Sequence, residues 1–337
     1  MFEKASEVIL LAHGGGGILM KELVDRIVEK LGGAQGPLQD SATLPVGAGR
    51  IAFTTDSYVV SPLFFPGGDI GRLAVCGTVN DLAMSGARPV WLSLSFIIEE
   101  GLPLETFERI LDSIAAAARE ARVTIVTGDT KVVERGKADG IFINTSGIGV
   151  VPPGLEVSSA SARPGDVVLV NGTIGDHGLA IMSRREGIDF GSDLKSDMAP
   201  LSNLTEPLLA AVKSVRAMRD ATRGGLAAIL NEIAADSRVC IRLEESAIPI
   251  SEAVNKGCEL MGYDPLHIAN EGKFVAVVAK KDAEKALSIM KAHPLGAGAA
   301  RIGEVAAEPP GMVILKTVFG GERVIDLPYG DMLPRIC

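Results

Sequence analysis

Apolar residues along this 337-residue chain switch repeatedly between a period of 3.6 and a period of 2, and that alternation restricts it to helices laid on sheets. Leu19, Leu23, Ile27 and Leu31 stand at helical spacing across 17–31. A short β-branched run follows at 50–56, helical spacing returns over 69–86, and Pro89 stops it. Residues 91–98 alternate as a strand, 104–121 as a helix, and 123–127 and 140–151 as strands around a polar, charged loop. Strand 140–151 then meets Pro152-Pro153-Gly154, a break that marks a domain boundary. A second series follows, with a strand at 167–170, helices opening at Gly175 and Gly224, a strand at 274–279 and a helix at 282–292. Residues 313–318 and 323–325, joined across Gly320-Gly321, form a terminal hairpin pattern. The expected organisation is α/β (α+β), with domains at 1–152 and 153–326 and an irregular, mobile tail at 327–337 holding two prolines and a glycine.

A core for such a fold must come from Val, Leu, Ile and Ala, because aromatics supply only 4% of the residues. Hydrophobic residues at 47% and charged residues at 22% are the balance of a soluble enzyme. The net charge of −9 opposes binding to nucleic acid, which depends on clustered Lys and Arg, and opposes an anionic membrane surface. No apolar run approaches the ~18 residues of a membrane span, and no signal peptide opens the chain. Cys76, Cys240, Cys258 and Cys337 lack metal-ligand spacing and imply reduced thiols in the cytoplasm.

Four aspartates share a setting: small or polar neighbours where an apolar element ends or turns. They are Asp56 in Phe-Thr-Thr-Asp-Ser, Asp81 in Asn-Asp-Leu-Ala-Met-Ser-Gly, Asp129 in Thr-Gly-Asp-Thr-Lys, and Asp220 in Asp-Ala-Thr-Arg-Gly-Gly. Asp56 and Asp129 follow strands directly, where open α/β sheets place ligand groups. Thr78, Asp81 and Ser85 lie on one side of the 69–86 helix. Gathered carboxylates repel unless a cation joins them, and Mg²⁺ accepts carboxylate and phosphate oxygens together. Singly, each aspartate has the pattern of an ordinary turn residue.

Gly14, Gly15, Gly16 and Gly17 precede a helix, where glycine amides and the helix N-terminus suit a phosphate, though no P-loop or dinucleotide fingerprint is present. Asp220, Thr222 and two glycines form a second such turn. Lys131 follows Gly-Asp-Thr130, and Glu271 lies in Asn-Glu-Gly before a strand; either reads as a solvated loop residue or as a proton carrier at the border of a site. Cys337 ends the chain, and ten extended residues reach at most about 33–36 Å, enough to visit two places.

The segments His13-Gly-Gly-Gly-Gly17, Asn80-Asp-Leu-Ala-Met-Ser-Gly86, Gly128-Asp-Thr-Lys-Val132, Asp220-Ala-Thr-Arg-Gly-Gly225, Asn270-Glu-Gly272 and Pro334-Arg-Ile-Cys337 together resemble the hydrogenase maturation factor HypE family. That family lies within the aminoimidazole ribonucleotide synthetase (PurM-like) superfamily, and the resemblance spans nearly the whole chain. It implies a two-domain PurM-like fold whose N-terminal domains pair strands into a shared barrel in a homodimer. It makes Asp56, Asp81, Asp129 and Asp220 residues for ATP and magnesium, with Thr130 and Thr222 beside the nucleotide and Gly14 to Gly17 over the phosphates. It makes Cys337 the acceptor of a carbamoyl group from the carbamoyltransferase HypF. ATP-driven dehydration would turn that S-carboxamide into an S-cyanate, and the cyano group would pass to iron on the HypC–HypD complex. Lys131 and Glu271 would remove the amide protons or position Cys337.

Three superfamily alternatives share the aspartates. Selenophosphate synthesis uses a Cys or selenocysteine near the N-terminus, and this chain has no Cys before Cys76. Thiamine-phosphate kinase and aminoimidazole ribonucleotide synthetase need no terminal thiol. A non-catalytic ATP-binding scaffold that presents its tail is a fourth reading.

Overall fold

The computed structural model describes residues 8–9, 18–30, 50–188, 194–326 and 335–337. The first half comprises α1 (Ile18–Lys30), β1 (Arg50–Tyr58), β2 (Phe64–Phe65), β3 (Gly68–Asp69), α2 (Ile70–Met84), β4 (Arg88–Glu99), α3 (Leu104–Ala121), β5 (Thr124–Val133) and β6 (Ile141–Val151). The second half continues with β7 (Val167–Val170), α4 (Asp176–Glu186), α5 (Ser202–Ala211), β8 (Val215–Asp220), α6 (Gly225–Ser237), β9 (Cys240–Glu244) and α7 (Glu252–Met261). It closes with β10 (Phe274–Val278), α8 (Ala283–Lys291), β11 (Ala300–Ala306), β12 (Met312–Lys316) and β13 (Glu322–Val324).

The first half builds a four-stranded sheet in the order β1-β6-β4-β5. β6 runs antiparallel to β1 and β4, and β5 lies parallel to β4 after the crossover through α3. Helix α3 is amphipathic: Phe107, Ile110, Leu111, Ile114 and Ala118 fall on one buried stripe at i, i+3, i+4, i+7 and i+11. Helix α2 is of another kind. The Asp69 carboxylate caps it by accepting from the Gly71 and Arg72 amides, and every residue but Arg72 and Asp81 is buried. A helix that is apolar all round belongs between layers, and α2 lies between the four-stranded sheet and the second half of the molecule.

The second half builds a seven-stranded mixed sheet in the order β13-β12-β9-β11-β7-β10-β8. Its strands send alternate residues to opposite faces. Val168, Val170, Ile241, Leu243, Val275 and Val277 pack with Leu226, Ile229, Leu230 and Ile233 of α6. Leu169, Met218, Phe274, Ala276 and Val278 pack on the other side with Leu204 and Leu208 of α5 and Ala286 and Met290 of α8. Ala83 and Met84 of α2 belong to that same cluster, so one helix serves both halves.

Most sequence-read elements are present with ends displaced by a few residues, and the terminal hairpin is present as the antiparallel pair β12–β13. One reading is corrected. Residues 128–133, expected in a polar loop, continue β5 to Val133, paired residue by residue with β4. The β-branched Thr127, Thr130, Val132 and Val133 outweigh the turn character of Gly128-Asp129.

Candidate active site

Thr54, Asp56 and Tyr58 point to the same side of β1, toward α2, because strand side chains alternate. The Thr54 hydroxyl donates to Asp81 Oδ2 at 2.8 Å, and the Thr78 hydroxyl donates to Asp56 Oδ2 at 3.3 Å. Thr54 of the strand and Thr78 of the helix therefore hold the two carboxylates that strand and helix bring together. Thr78 Oγ1 also lies 3.2 Å from the Tyr58 hydroxyl and 2.5 Å from Thr145 Oγ1 on β6. Gly77 permits this arrangement: a Cβ there would stand 2.3 Å from the Tyr58 hydroxyl.

The second half contributes Asp220 and Glu271. Asp220 ends β8 opposite Phe274, and Glu271 stands three residues before Phe274, where β10 begins. Asn80 of α2 joins the halves by donating to the carbonyls of Glu271 at 3.0 Å and Ala199 at 3.1 Å and accepting from the Leu201 amide at 2.7 Å. Asn270 accepts from the Gly175 amide at 2.7 Å and donates to the Ala221 carbonyl at 2.8 Å. Asp197 accepts from the Glu271 amide and from Lys273 Nζ, both at 3.0 Å.

Asp81, Asp220 and Glu271 are each shifted by burial and by neighbouring carboxylates, Asp56 among them. Burial, then the charges of Asp220 and Asp56, raise the Asp81 carboxyl above the usual range. Burial also raises Asp220, with Asp56 adding to the shift. Glu271 is held well above its ordinary value by burial and then by Asp220, Asp197, Asp56 and Asp81. Burial would raise Asp197 too, but Lys273, His177 and the Glu271 amide together outweigh it and hold that carboxyl low. Asp220 Oδ2 is buried without a hydrogen-bond partner. An orphaned carboxylate oxygen among mutually repelling carboxylates fits a hard divalent cation, which satisfies the oxygen and removes the repulsion. Among the described residues, no three acidic, histidine or cysteine side chains converge closely enough to hold a metal unaided.

Asp129 and Lys131 are not brought to this cluster within one chain. Both lie on the exposed side of β5, where Lys131 Nζ contacts Asp129 Oδ2 at 2.6 Å. The intervening Thr130 is buried on the inner side, as strand alternation requires. Ion-pairing with Lys131 is the main cause that holds the Asp129 carboxyl low. Thr222 is half-buried in the turn before α6, where Gly225 has positive φ and a Cβ would meet the carbonyls of Ile268 and Leu266 at 2.6 Å. Gly14, Gly15, Gly16 and Gly17 lie outside the described residues. Thr54, Tyr58, Thr145, Asp197 and Lys273 went unread in the sequence, where nothing sets them apart from other polar positions.

Cys337 docks on the main chain just past the end of β1. The Val59 amide donates to the Cys337 carbonyl at 3.1 Å, and the Ile336 side chain is 2% exposed within the core of the first half. Val59, the residue after β1, follows Asp56 by three residues, about 10 Å at strand rise.

Residues 38–151 match the family described as AIR synthase related protein, N-terminal domain, and residues 163–316 match its C-terminal domain. Carbamoyl dehydratase HypE of Rhizobium leguminosarum bv. viciae is 55% identical over 97% of this chain and 94% of its own. The crystal structure of hydrogenase maturation protein HypE in complex with ATP superposes with a TM-score of 0.93 at 46% identity, covering 97% of this chain and 99% of that one. In a HypE–HypF complex structure, the matching chain has a TM-score of 0.80 at 54% identity over 82% of this chain and 90% of its own. No helix among the described residues is long and apolar enough to cross a membrane. With this likeness in sequence, in both domains and in three dimensions, the chain belongs to the HypE family.

Proposed function

We propose that this chain is an ATP-dependent carbamoyl dehydratase that acts on a carbamoyl group carried by its own Cys337. One observation carries the reading: Cys337 docks on the main chain at Val59, just past β1 and three residues along the chain from Asp56. The HypE relatives are named carbamoyl dehydratases, one was crystallised with ATP, and another was crystallised with HypF.

The chemistry requires a poor leaving group to depart. The oxygen of an S-carboxamide would leave as hydroxide, so the γ-phosphoryl of ATP is transferred to it first. The C–O bond then breaks with loss of phosphate, two protons leave nitrogen, and the S-cyanate, ADP and phosphate result. Asp56, Asp81 and Asp220 would line the site for magnesium, with phosphate oxygens and water as its other ligands. When bound, that ion supplies charge stabilisation to the transferring phosphoryl group. Glu271, whose carboxyl burial and the neighbouring carboxylates hold high, would accept a proton from the amide nitrogen. Thr54 and Thr78 fix the two aspartates by hydrogen bonds.

Asp129 and Lys131 face the other side of the four-stranded sheet, which also exposes Ile51, Phe53 and Ile97. A bare apolar face of this kind supports a homodimer in which two such sheets close a barrel, with Asp129, Thr130 and Lys131 contributing to the nucleotide site from its wall. HypF would load Cys337, and the HypC–HypD complex would receive the cyano group, all in the cytoplasm.

The test is intact mass after incubation with ATP, magnesium, carbamoyl phosphate and HypF, beside Cys337→Ala. The expected result is a carbamoyl adduct that loses one water only when ATP is present and never forms on the variant. A chain left unmodified by an active HypF would refute the reading.

A further inference from the structure

The last three residues lie in a slot built for them. The Val59 amide donates to the Cys337 carbonyl at 3.1 Å and the Ser61 amide donates to the Arg335 carbonyl at 3.3 Å, the antiparallel spacing of an added strand. Ile336, between them, sends its side chain into the core and its carbonyl to His177 Nε2 at 2.9 Å. The His177 ring is fully buried, edge-on to Phe65 at 5.7 Å, with Nδ1 2.8 Å from Ser196 Oγ. A carbonyl only accepts, so Nε2 carries the hydrogen; burial opposes a charged ring, so Nδ1 accepts from the Ser196 hydroxyl. Ser196 thereby fixes the tautomer. It also adjoins Asp197, whose carboxylate binds the Glu271 amide. Around the rim, Arg185 donates to the Arg335 carbonyl and to the Ser61 carbonyl. Arg335 itself reaches the Val59 carbonyl at 2.9 Å and Asp139 Oδ2 at 2.5 Å.

We propose that His177 is a positioning residue for the terminal thiol: it holds the Ile336 carbonyl and so sets the share of time that Cys337 spends at the site rather than at the transferase. The mechanism above uses no histidine, and this buried imidazole gives its Nε2 hydrogen to the carbonyl of the residue before Cys337. This inference rests on the carbamoyl dehydratase reading for its consequence, though not for its geometry. It predicts effects of opposite sign. Loosening the tail slows dehydration, which needs the thiol inside, and does not slow carbamoyl loading, which needs it outside.

The test has two independent readouts on the full chain. The first is the rate at which a thiol-alkylating reagent modifies Cys337, followed by intact and peptide mass. Cys76, Cys240 and Cys258 are buried, so their protection reports continued folding. His177→Ala should raise the Cys337 rate about 10-fold, the scale of one lost buried hydrogen bond, and His177→Gln, which keeps an N–H donor, should restore protection. Asp139→Asn, an exposed change at the rim, should raise it about 2–5-fold, and it carries the test if the buried cysteines of His177→Ala become reactive. The second is turnover: His177→Ala should lower the dehydration kcat by the same factor, leave the KM for ATP unchanged, and leave loading by HypF as fast or faster. Unchanged Cys337 alkylation in His177→Ala and Asp139→Asn would overturn the proposal and leave the dehydratase reading standing. Loading and dehydration slowed together would also overturn it. Wild-type protein that never dehydrates a loaded tail would instead refute the activity, while the alkylation rates still tested the slot.

Discussion

The two sheets of this molecule draw on the same Val, Ile and Leu, yet their faces differ. The seven-stranded sheet is covered on both sides, by α6 on one and by α5 and α8 on the other, and its strand β10, between β7 and β8, is buried at every position. The four-stranded sheet is covered on one side only, by α2 and α3. Its other side carries Phe53, 67% exposed, across from Ile148 and Trp91, with polar rows of Thr55, Ser57, Ser93, Ser95 and Asn144 beyond. A sheet with two covered faces stores stability. One with a bare face keeps surface available for a partner, and here the carboxylate cluster lies just beneath it.

The sharpest way to break this contrast is to place the same charge on each sheet. Val277→Asp puts a carboxylate at the centre of β10, 0% exposed between Val168 and Ala217, and should cost more than about 4 kcal/mol and leave no folded protein by circular dichroism.

A smaller effect of opposite sign is expected beneath the four-stranded sheet. Asp81→Asn removes a repelling carboxylate, so the ligand-free protein should gain roughly 1 kcal/mol at pH 8, about 2–4 °C in Tm, while losing ATP-dependent turnover. The sign follows from linkage. Asp81, Asp220 and Glu271 bind protons more tightly folded than unfolded, so their favourable contribution is complete below about pH 4 and is lost as pH rises through their raised values. The Tm of the ligand-free wild type should therefore decline on this account from pH 5 to pH 8, and magnesium with ATP should reverse the decline. A Tm for Asp81→Asn below wild type at pH 8 would mean the carboxylates do not repel.

Phe53→Asp should have the smallest effect on stability, within about 0.5 kcal/mol, because that side chain is largely exposed. It should nonetheless convert a dimer to monomer by sedimentation velocity and lower turnover. A variant that sediments as wild type would show that this face is not the interface.

The periodicity made α2, α3, β6 and the β12–β13 hairpin legible, because each buries one kind of residue at one spacing. It failed where two signals competed. Gly128-Asp129 looks like a turn, and only pairing with β4 keeps the chain extended through Val133. Helix α5 contains Pro207, a helix breaker by composition, and is retained by Leu204 and Leu208 in the core. For the site, recognisable motifs picked out Asp56, Asp81, Asp220 and Glu271, which fold together from four distant segments. They also picked out Asp129 and Lys131, but the side of the strand on which these fall depends on register, which a motif does not encode. His177 and Asp197 carry no local signal, since their partners lie at Ile336 and Lys273.

Helix α2 finally sets a limit on how such a molecule can be divided or recombined. Its Leu73, Val75 and Val79 belong to one core and its Ala83 and Met84 to the other, while Asn80 closes three main-chain bonds across the seam. Cutting at Pro152-Pro153 would strip both fragments of a shared wall, and a half transplanted from a distant relative would have to arrive with a matching Asn80 socket. The chain is two domains by sequence and one inheritable unit by construction.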